Sequence, residues 1–395
     1  MIETILKIKP SVLGVIIVAL NSSAAMIETA SADSLLAPLI VNTGAGAASA
    51  PFAAGPVSTY LNIKVKGQGS FSAFPVIPQD QLHYVWIKKG SSVGDLGDLN
   101  KSCKMIDNSG FVTANDMVFQ DTGLPPALAN RVPSGTIAPD LSIPNTYYAA
   151  DFVGMVVVSD MANIGTKGNN DPEGNLSGFA YIVDAASGDI VDYKLLNNHY
   201  SAGEGDFSSG FVAKKSVDFA WMSSIAAQRG VSTTWTAMVT GPDMSQHTGL
   251  FTDSYDASVL FSQKTHPDGT QDSPLINGQS GVFGNDEVFT SANPKFSVTC
   301  MGSFDRAVLL GGDPQLLADT ANGGWLRMSI QPTARINPLT GEQFPSNHAA
   351  AGAIVYRDDV INAGGVHATL QGQHSMVIET SGHLVKGANH PNRPY

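Results

Sequence analysis

The feature that constrains this chain most is a period of two. In residues 58–66, Leu61, Ile63 and Val65 alternate with Asn62, Lys64 and Lys66, so an extended backbone puts every apolar side chain on one face. Short alternating or Val-rich segments recur at 81–89, 111–120, 152–160, 233–241, 258–264, 295–301, 324–331, 352–358 and 374–380. The 40 Gly and 22 Pro of the chain punctuate them. Such spacing belongs to antiparallel sandwiches or barrels and not to βαβ units. The expected fold is therefore all-β, antiparallel and sandwich-like, in two packed domains with a few short helices.

The clearest hairpin joins GFAYIVD to DIVDYKLL across the turn Ala185-Ala186-Ser187-Gly188. Two helices are expected. One covers residues 216–230, with Trp221 and Ile225 one turn apart and Gly230 at its C-terminal cap. The other starts at Asp313-Pro314, an N-cap and a first-turn proline, and ends before Gly323-Gly324.

The N-terminus reads as an export signal. Lys7 and Lys9 precede the apolar run SVLGVIIVAL, which is too short to span about 30 Å of hydrocarbon as a helix. Small-residue cleavage patterns follow at Ser23-Ala24-Ala25 and Ala30-Ser31-Ala32, and the second is preferred. Residues 1–32 are then a signal peptide. Pro125, Pro126, Pro133, Pro139 and Pro144 mark a linker or crossing loop, so domains are expected at 33–145 and 146–383, with a polar tail at 384–395.

With 43% hydrophobic and only 14% charged residues, the composition excludes a disordered chain. The formal charge of −12 repels phosphate backbones, so nucleic acid and anionic membrane are poor partners. No later apolar run reaches the length of a membrane helix, so no integral membrane segment is expected after cleavage. Cys103 and Cys300 are the only cysteines, and an exported chain with one pair most simply joins them in a disulfide; the other reading is two buried thiols.

Motifs of chemistry are sparse. Gly90-Ser91-Ser92-Val93-Gly94 matches the nucleophile-elbow pattern after a strand, but the following GDLGDLN reads as a loop where an elbow needs a helix. His348, His367, His374, His383 and His390 crowd the C-terminal part at spacings that match no compact metal motif. Asn169, Asn170, Asp171, Glu173 and Asn175, like Asp95, Asp98 and Asn100 and the pair Asp268 and Asp272, offer hard oxygens to a structural calcium but miss the twelve-residue calcium-loop register. Asn170, Asp171 and Glu173 are the best of these. Asp184, Asp286, Glu287, Asp358 and Asp359 lie near strand ends, where a pair of carboxylates for glycoside hydrolysis is permitted but not indicated. Trp86, Trp221, Trp235 and Trp325 can stack on sugar rings, yet their segments favour core packing, for Trp235 and Trp325 in particular.

The segments LHYVWIKKG and FVTANDMVF around Cys103, with GFAYIVDAASGDIVDY and NGGWLRM, resemble uncharacterised exported proteins of Gram-negative bacteria. The resemblance implies a secreted or surface protein of β-rich architecture with no assigned activity. The expected function is that of an exported cell-envelope or extracellular structural or interaction protein without catalytic activity or cofactor, contacting a surface polymer or copies of itself. The rival is a secreted polysaccharide-acting hydrolase, with a carbohydrate-binding protein between them. An enzyme requires a cleft of converging catalytic groups, whereas a binding or assembly protein requires a flat aromatic patch or an open sheet edge.

Overall fold

A computed structural model describes residues 34–42, 57–65, 79–113, 117–122, 135–136, 152–160, 176–184, 189–198, 216–221, 231–240, 254–263, 281–286, 288–332, 352–363, 366–369, 374–375 and 379–380. The first ten strands are β1 (Ser34–Asn42), β2 (Val57–Val65), β3 (Gln79–Gly90), β4 (Cys103–Thr113), β5 (Met117–Asp121), β6 (Gly135–Thr136), β7 (Phe152–Asp160), β8 (Leu176–Asp184), β9 (Asp189–Lys194) and β10 (Leu196–Asn198). The next seven are β11 (Ser216–Trp221), β12 (Val231–Thr240), β13 (Ser254–Tyr255), β14 (Ser258–Ser262), β15 (Gly281–Gly284), β16 (Phe289–Ser291) and β17 (Lys295–Thr299). The last are β18 (Met301–Asp305), β19 (Gly324–Pro332), β20 (Gly352–Ala363), β21 (Val366–Thr369), β22 (His374–Ser375) and β23 (Glu379–Thr380).

These strands form four sheets, and the fold is all-β and sandwich-like. Sheet I has the order β10-β1-β7-β3-β4-β13, with β6 also on β4, and sheet II has the order β22-β9-β8-β2-β5. Sheet III runs β16-β15-β19-β14-β17 with β11 also on β19, and sheet IV runs β18-β12-β20-β21 with β23 also on β20. Every described pairing is antiparallel except β22 with β9.

In β2 the period of two is plain: Val57, Thr59, Leu61, Ile63 and Val65 are buried and Lys64 is exposed. By contrast β1 and residues 152–159 of β7 are buried at every position, which is why β7 reads as a continuous Val-rich run. Polar groups stitch sheet I to sheet II. The Val41 N–H donates to Thr59 Oγ1 at 2.8 Å, and Asn42 Oδ1 accepts from the Thr59 N–H at 2.9 Å and from Thr122 Oγ1 at 3.0 Å. Sheets III and IV meet through aromatic rings instead. Phe219 lies edge-on to Trp235, Phe261 and Phe304, with centroids 5.8, 5.8 and 5.9 Å away.

The strands β7 to β10 lie beyond residue 145 in sequence yet share sheets I and II with β1 to β5. Residues 1–32, the proline-rich stretch apart from Gly135 and Thr136, and the tail 384–395 lie outside the described residues. The hairpin strands β8 and β9 pair as expected, with Asp184 opposite Asp189.

One expected helix is a strand. Residues 216–221 form β11 because Val217, Phe219 and Trp221 are buried while Asp218 between them is exposed, a period of two set inside a stretch that also fits 3.6. Residues 222–230 lie outside the described set. The other expected helix is present as α2 (Pro314–Asp319), which follows α1 (Arg306–Leu309). Asp313 caps α2 by accepting from the N–H groups of Gln315 at 2.9 Å and Leu316 at 3.3 Å.

Candidate interaction surface

Strand β19 has two faces. Leu326, Met328 and Ile330 point into the core and are buried, so Trp325 and Arg327 point the other way, onto the outer face of sheet III. Strand β11 does the same, burying Val217, Phe219 and Trp221 and leaving Asp218 and Ala220 outside. Register then decides which outer side chains meet. Phe283 of β15 pairs with Trp325 on one side, Ala220 of β11 pairs with it on the other, and Phe289 of β16 pairs with Phe283.

The result is a row Phe289, Phe283, Trp325, Ala220 across four strands. Phe283 and Trp325 stack with centroids 4.9 Å apart and planes 10° from parallel, and Phe289 tilts against Phe283 at 5.2 Å. Trp325 remains 38% exposed and Val288, at the rim, 56%. One step along the sheet, Arg327 grips Asp218 with two parallel bonds, Nε to Oδ1 at 2.6 Å and a terminal guanidinium nitrogen to Oδ2 at 2.8 Å. At half exposure such a pair contributes less than about 1 kcal/mol to stability, but it holds a planar set of donors and acceptors beside the rings.

The core assignment therefore holds for three tryptophans and fails for the fourth. Trp86, Trp221 and Trp235 are buried. Trp325 is outward because it shares its alternation phase with Arg327, not with Leu326 and Met328. That phase is written in the segment and was the signal to follow.

A second polar cluster lies where the two pairs of sheets meet. Ser92 is followed by a 3-10 turn (Val93–Gly97), not by an open loop, which corrects the reading of GDLGDLN. Its hydroxyl donates to Asp95 Oδ2 at 3.1 Å, and the same carboxylate accepts from the N–H groups of Ser91 at 2.9 Å and Ser92 at 3.0 Å. Burial works to raise the Asp95 pKa, but these bonds and the Lys101 charge prevail and hold it below the ordinary carboxylate value. The Ser92 hydroxyl is thus a capping group on a carboxylate. Behind it, the buried Lys89 ammonium donates to the carbonyls of Lys101 and Thr299, the latter at 3.2 Å. Burial pushes Lys89 down to about 8, against the pull of Asp98 and Asp95.

Cys103 and Cys300 come together at disulfide distance in this seam, with Cα atoms 5.9 Å apart across a separation of 197 residues. Cys300 sits where the chain turns from β17 in sheet III to β18 in sheet IV, with φ at 60°. Its N–H donates to the Ala257 carbonyl at 2.8 Å and its carbonyl accepts from Val239 at 2.7 Å.

The calcium candidates Asn170, Asp171 and Glu173, with their neighbours Asn169 and Asn175, lie outside the described residues, as do Asp268, Asp272, Glu287, His348, His383 and His390. His367, His374, Asp358 and Asp359 fall in strands, with side chains outside the described set. Asp184 is buried, and Asp286 is exposed in a turn, accepting from the Val288 N–H at 3.2 Å. Asp98 accepts from the Asn100 N–H at 3.2 Å, ordinary turn chemistry. Among the described residues no group of three or more His, Cys, Asp or Glu is placed to hold a metal ion. Likewise, no described helix is long and apolar enough to cross a membrane. The chain matches no family model, no curated protein and no solved structure.

Proposed function

We propose that this chain is an exported cell-envelope or extracellular interaction protein without catalytic activity, which works through the outer face of sheet III. The observation that carries the reading is the row of Phe289, Phe283 and the exposed Trp325 beside the Asp218–Arg327 pair. An indole left 38% exposed and stacked on a second ring forgoes the burial that its three counterparts obtain, and such a contiguous aromatic patch suits a contact surface. Export is supported by the basic and apolar N-terminal segment with its small-residue cleavage patterns, and by a cysteine pair placed to close a disulfide in an oxidising compartment.

The test is made in the host. Wild type and Trp325→Ala are expressed with the leader intact, the cells are fractionated, and native mass and non-reducing intact mass are measured. The expected result is a cleaved, disulfide-closed chain that is retained on the envelope or in a high-mass assembly, with retention lost in Trp325→Ala. Free monomer in the medium with glycan-degrading activity overturns the reading and restores the hydrolase.

A further inference from the structure

We propose that the outer face of sheet III carries a slot for one pyranose ring of a neutral polysaccharide, walled by Trp325, floored by Ala220 and closed at one end by Asp218 and Arg327. This rests on the reading of that face as the contact surface and names what it contacts. The Phe283–Trp325 centroid spacing of 4.9 Å matches the distance between neighbouring strands, and the planes are only 10° apart. The two rings therefore stand upright and stack along the direction that crosses the strands. The second face of the indole is turned away from Phe283, over the strand on the other side, and the residue directly opposite there is Ala220. A third ring would continue the row at that point, and among the described residues the side chain standing there is one methyl group.

The position opposite Trp325 is one strand spacing wide, the thickness of a saturated six-membered ring lying flat on an aromatic one. A pyranose chair offers a face of C–H groups to the indole and a rim of hydroxyls to whatever lies at its edge. Asp218 and Arg327 stand on the same outer face, two residues from Ala220 and Trp325 respectively, and pair there through two parallel bonds. The pair is neutral overall and the chain carries −12, so a polyanion gains nothing here and is repelled at long range. Among the described residues β11 pairs with β19 alone, so within the described sheet the slot lies at its β11 side.

The experiment is native affinity electrophoresis of the mature full chain in gels holding hydroxyethylcellulose, galactomannan, soluble starch or dextran sulfate, at low and high salt. The variants are Trp325→Ala, Ala220→Phe, which fills the slot with a ring, and Val308→Ser, an exposed apolar control on α1. Retardation is expected in at least one neutral polymer, insensitive to salt, weakened roughly ten-fold or more by Trp325→Ala and by Ala220→Phe, and unchanged by Val308→Ser. Thermal melting of each variant separates a lost slot from a lost fold. The inference is overturned by no retardation of wild type in any neutral polymer, by retardation in dextran sulfate alone, or by full binding in both slot variants. A fall in native mass in Trp325→Ala without any polymer effect also overturns it, and assigns the face to a second copy. If Trp325→Ala abolishes envelope retention while every glycan fails, the sugar is discarded and the contact face stands.

Discussion

Tyr84 of β3 is fully buried, and its hydroxyl has no hydrogen-bond partner among the described residues. Burial alone pushes its pKa far above the ordinary phenol value, the electrostatic expression of the same desolvation. Removing a buried hydroxyl without a partner removes a cost, so Tyr84→Phe is expected to raise stability by about 1 kcal/mol in urea unfolding; a loss of that size would reveal a partner for the oxygen. Lys89 makes a pH prediction. Its folded pKa of about 8 lies below the 10.5 of an ordinary lysine, so between those values the unfolded chain binds more protons and stability rises with pH. Above about pH 10 the buried Tyr84 and Tyr193, with raised pKa values, reverse the slope because the unfolded phenols ionise first. Wild type is expected to gain stability between about pH 8 and pH 9.5 relative to Lys89→Met, read from urea midpoints; parallel curves would place Lys89 at an ordinary pKa.

At the scale of elements, phase decides more than composition. Leu326 and Trp325 are neighbours in β19, one fully buried and one not. Leu326→Ala is expected to cost about 2–5 kcal/mol and Trp325→Ala less than about 1.5 kcal/mol, the inverse of what side-chain size alone gives. Calorimetry of the two variants checks the order. The corner between β17 and β18 tests a backbone effect. Cys300 holds φ at 60°, a region that costs an L-residue roughly 1–2 kcal/mol and glycine almost nothing. With the disulfide absent from both, Cys103→Ala/Cys300→Gly is expected to be more stable than Cys103→Ala/Cys300→Ala by about 1 kcal/mol in urea. Equal midpoints would show that the corner relaxes. The period-two pattern of β2 and β19 was legible because each buries one face of a sheet, whereas β11 was misread because Trp221 and Ile225 also sit at helical spacing.

For the whole molecule, the seam around Cys103 and Cys300 is the place where separate sheets become one body. Cys103 begins β4 in sheet I, Cys300 lies between sheets III and IV, and Lys89 of β3 reaches the Thr299 carbonyl across the same junction. Closing a loop of 197 residues contributes up to about 5 kcal/mol in the chain-entropy picture. Reductant is therefore expected to lower the melting temperature by several degrees under conditions where the chain stays folded, measured by scanning calorimetry with and without dithiothreitol. An unchanged midpoint would mean that the hydrogen bonds and burial at the seam already hold the sheets together.

What the sequence by itself determined was local: extended segments, their buried stripes, the Asp313 cap, a hairpin across residues 185–188, and for two lone cysteines a single possible pairing, with two buried thiols left as the other reading. These depend on alternation, turn chemistry and counting, which act over a few residues or admit one solution. Only the tertiary structure decided that Phe289, Phe283, Trp325 and Ala220 stand in one row, and that Asp218 meets Arg327 across a sequence separation of 109. Strand register sets those meetings, and register follows from the packing of the opposite, buried face. A surface contact is thus fixed by the core side chains behind it, which is why no motif announced it.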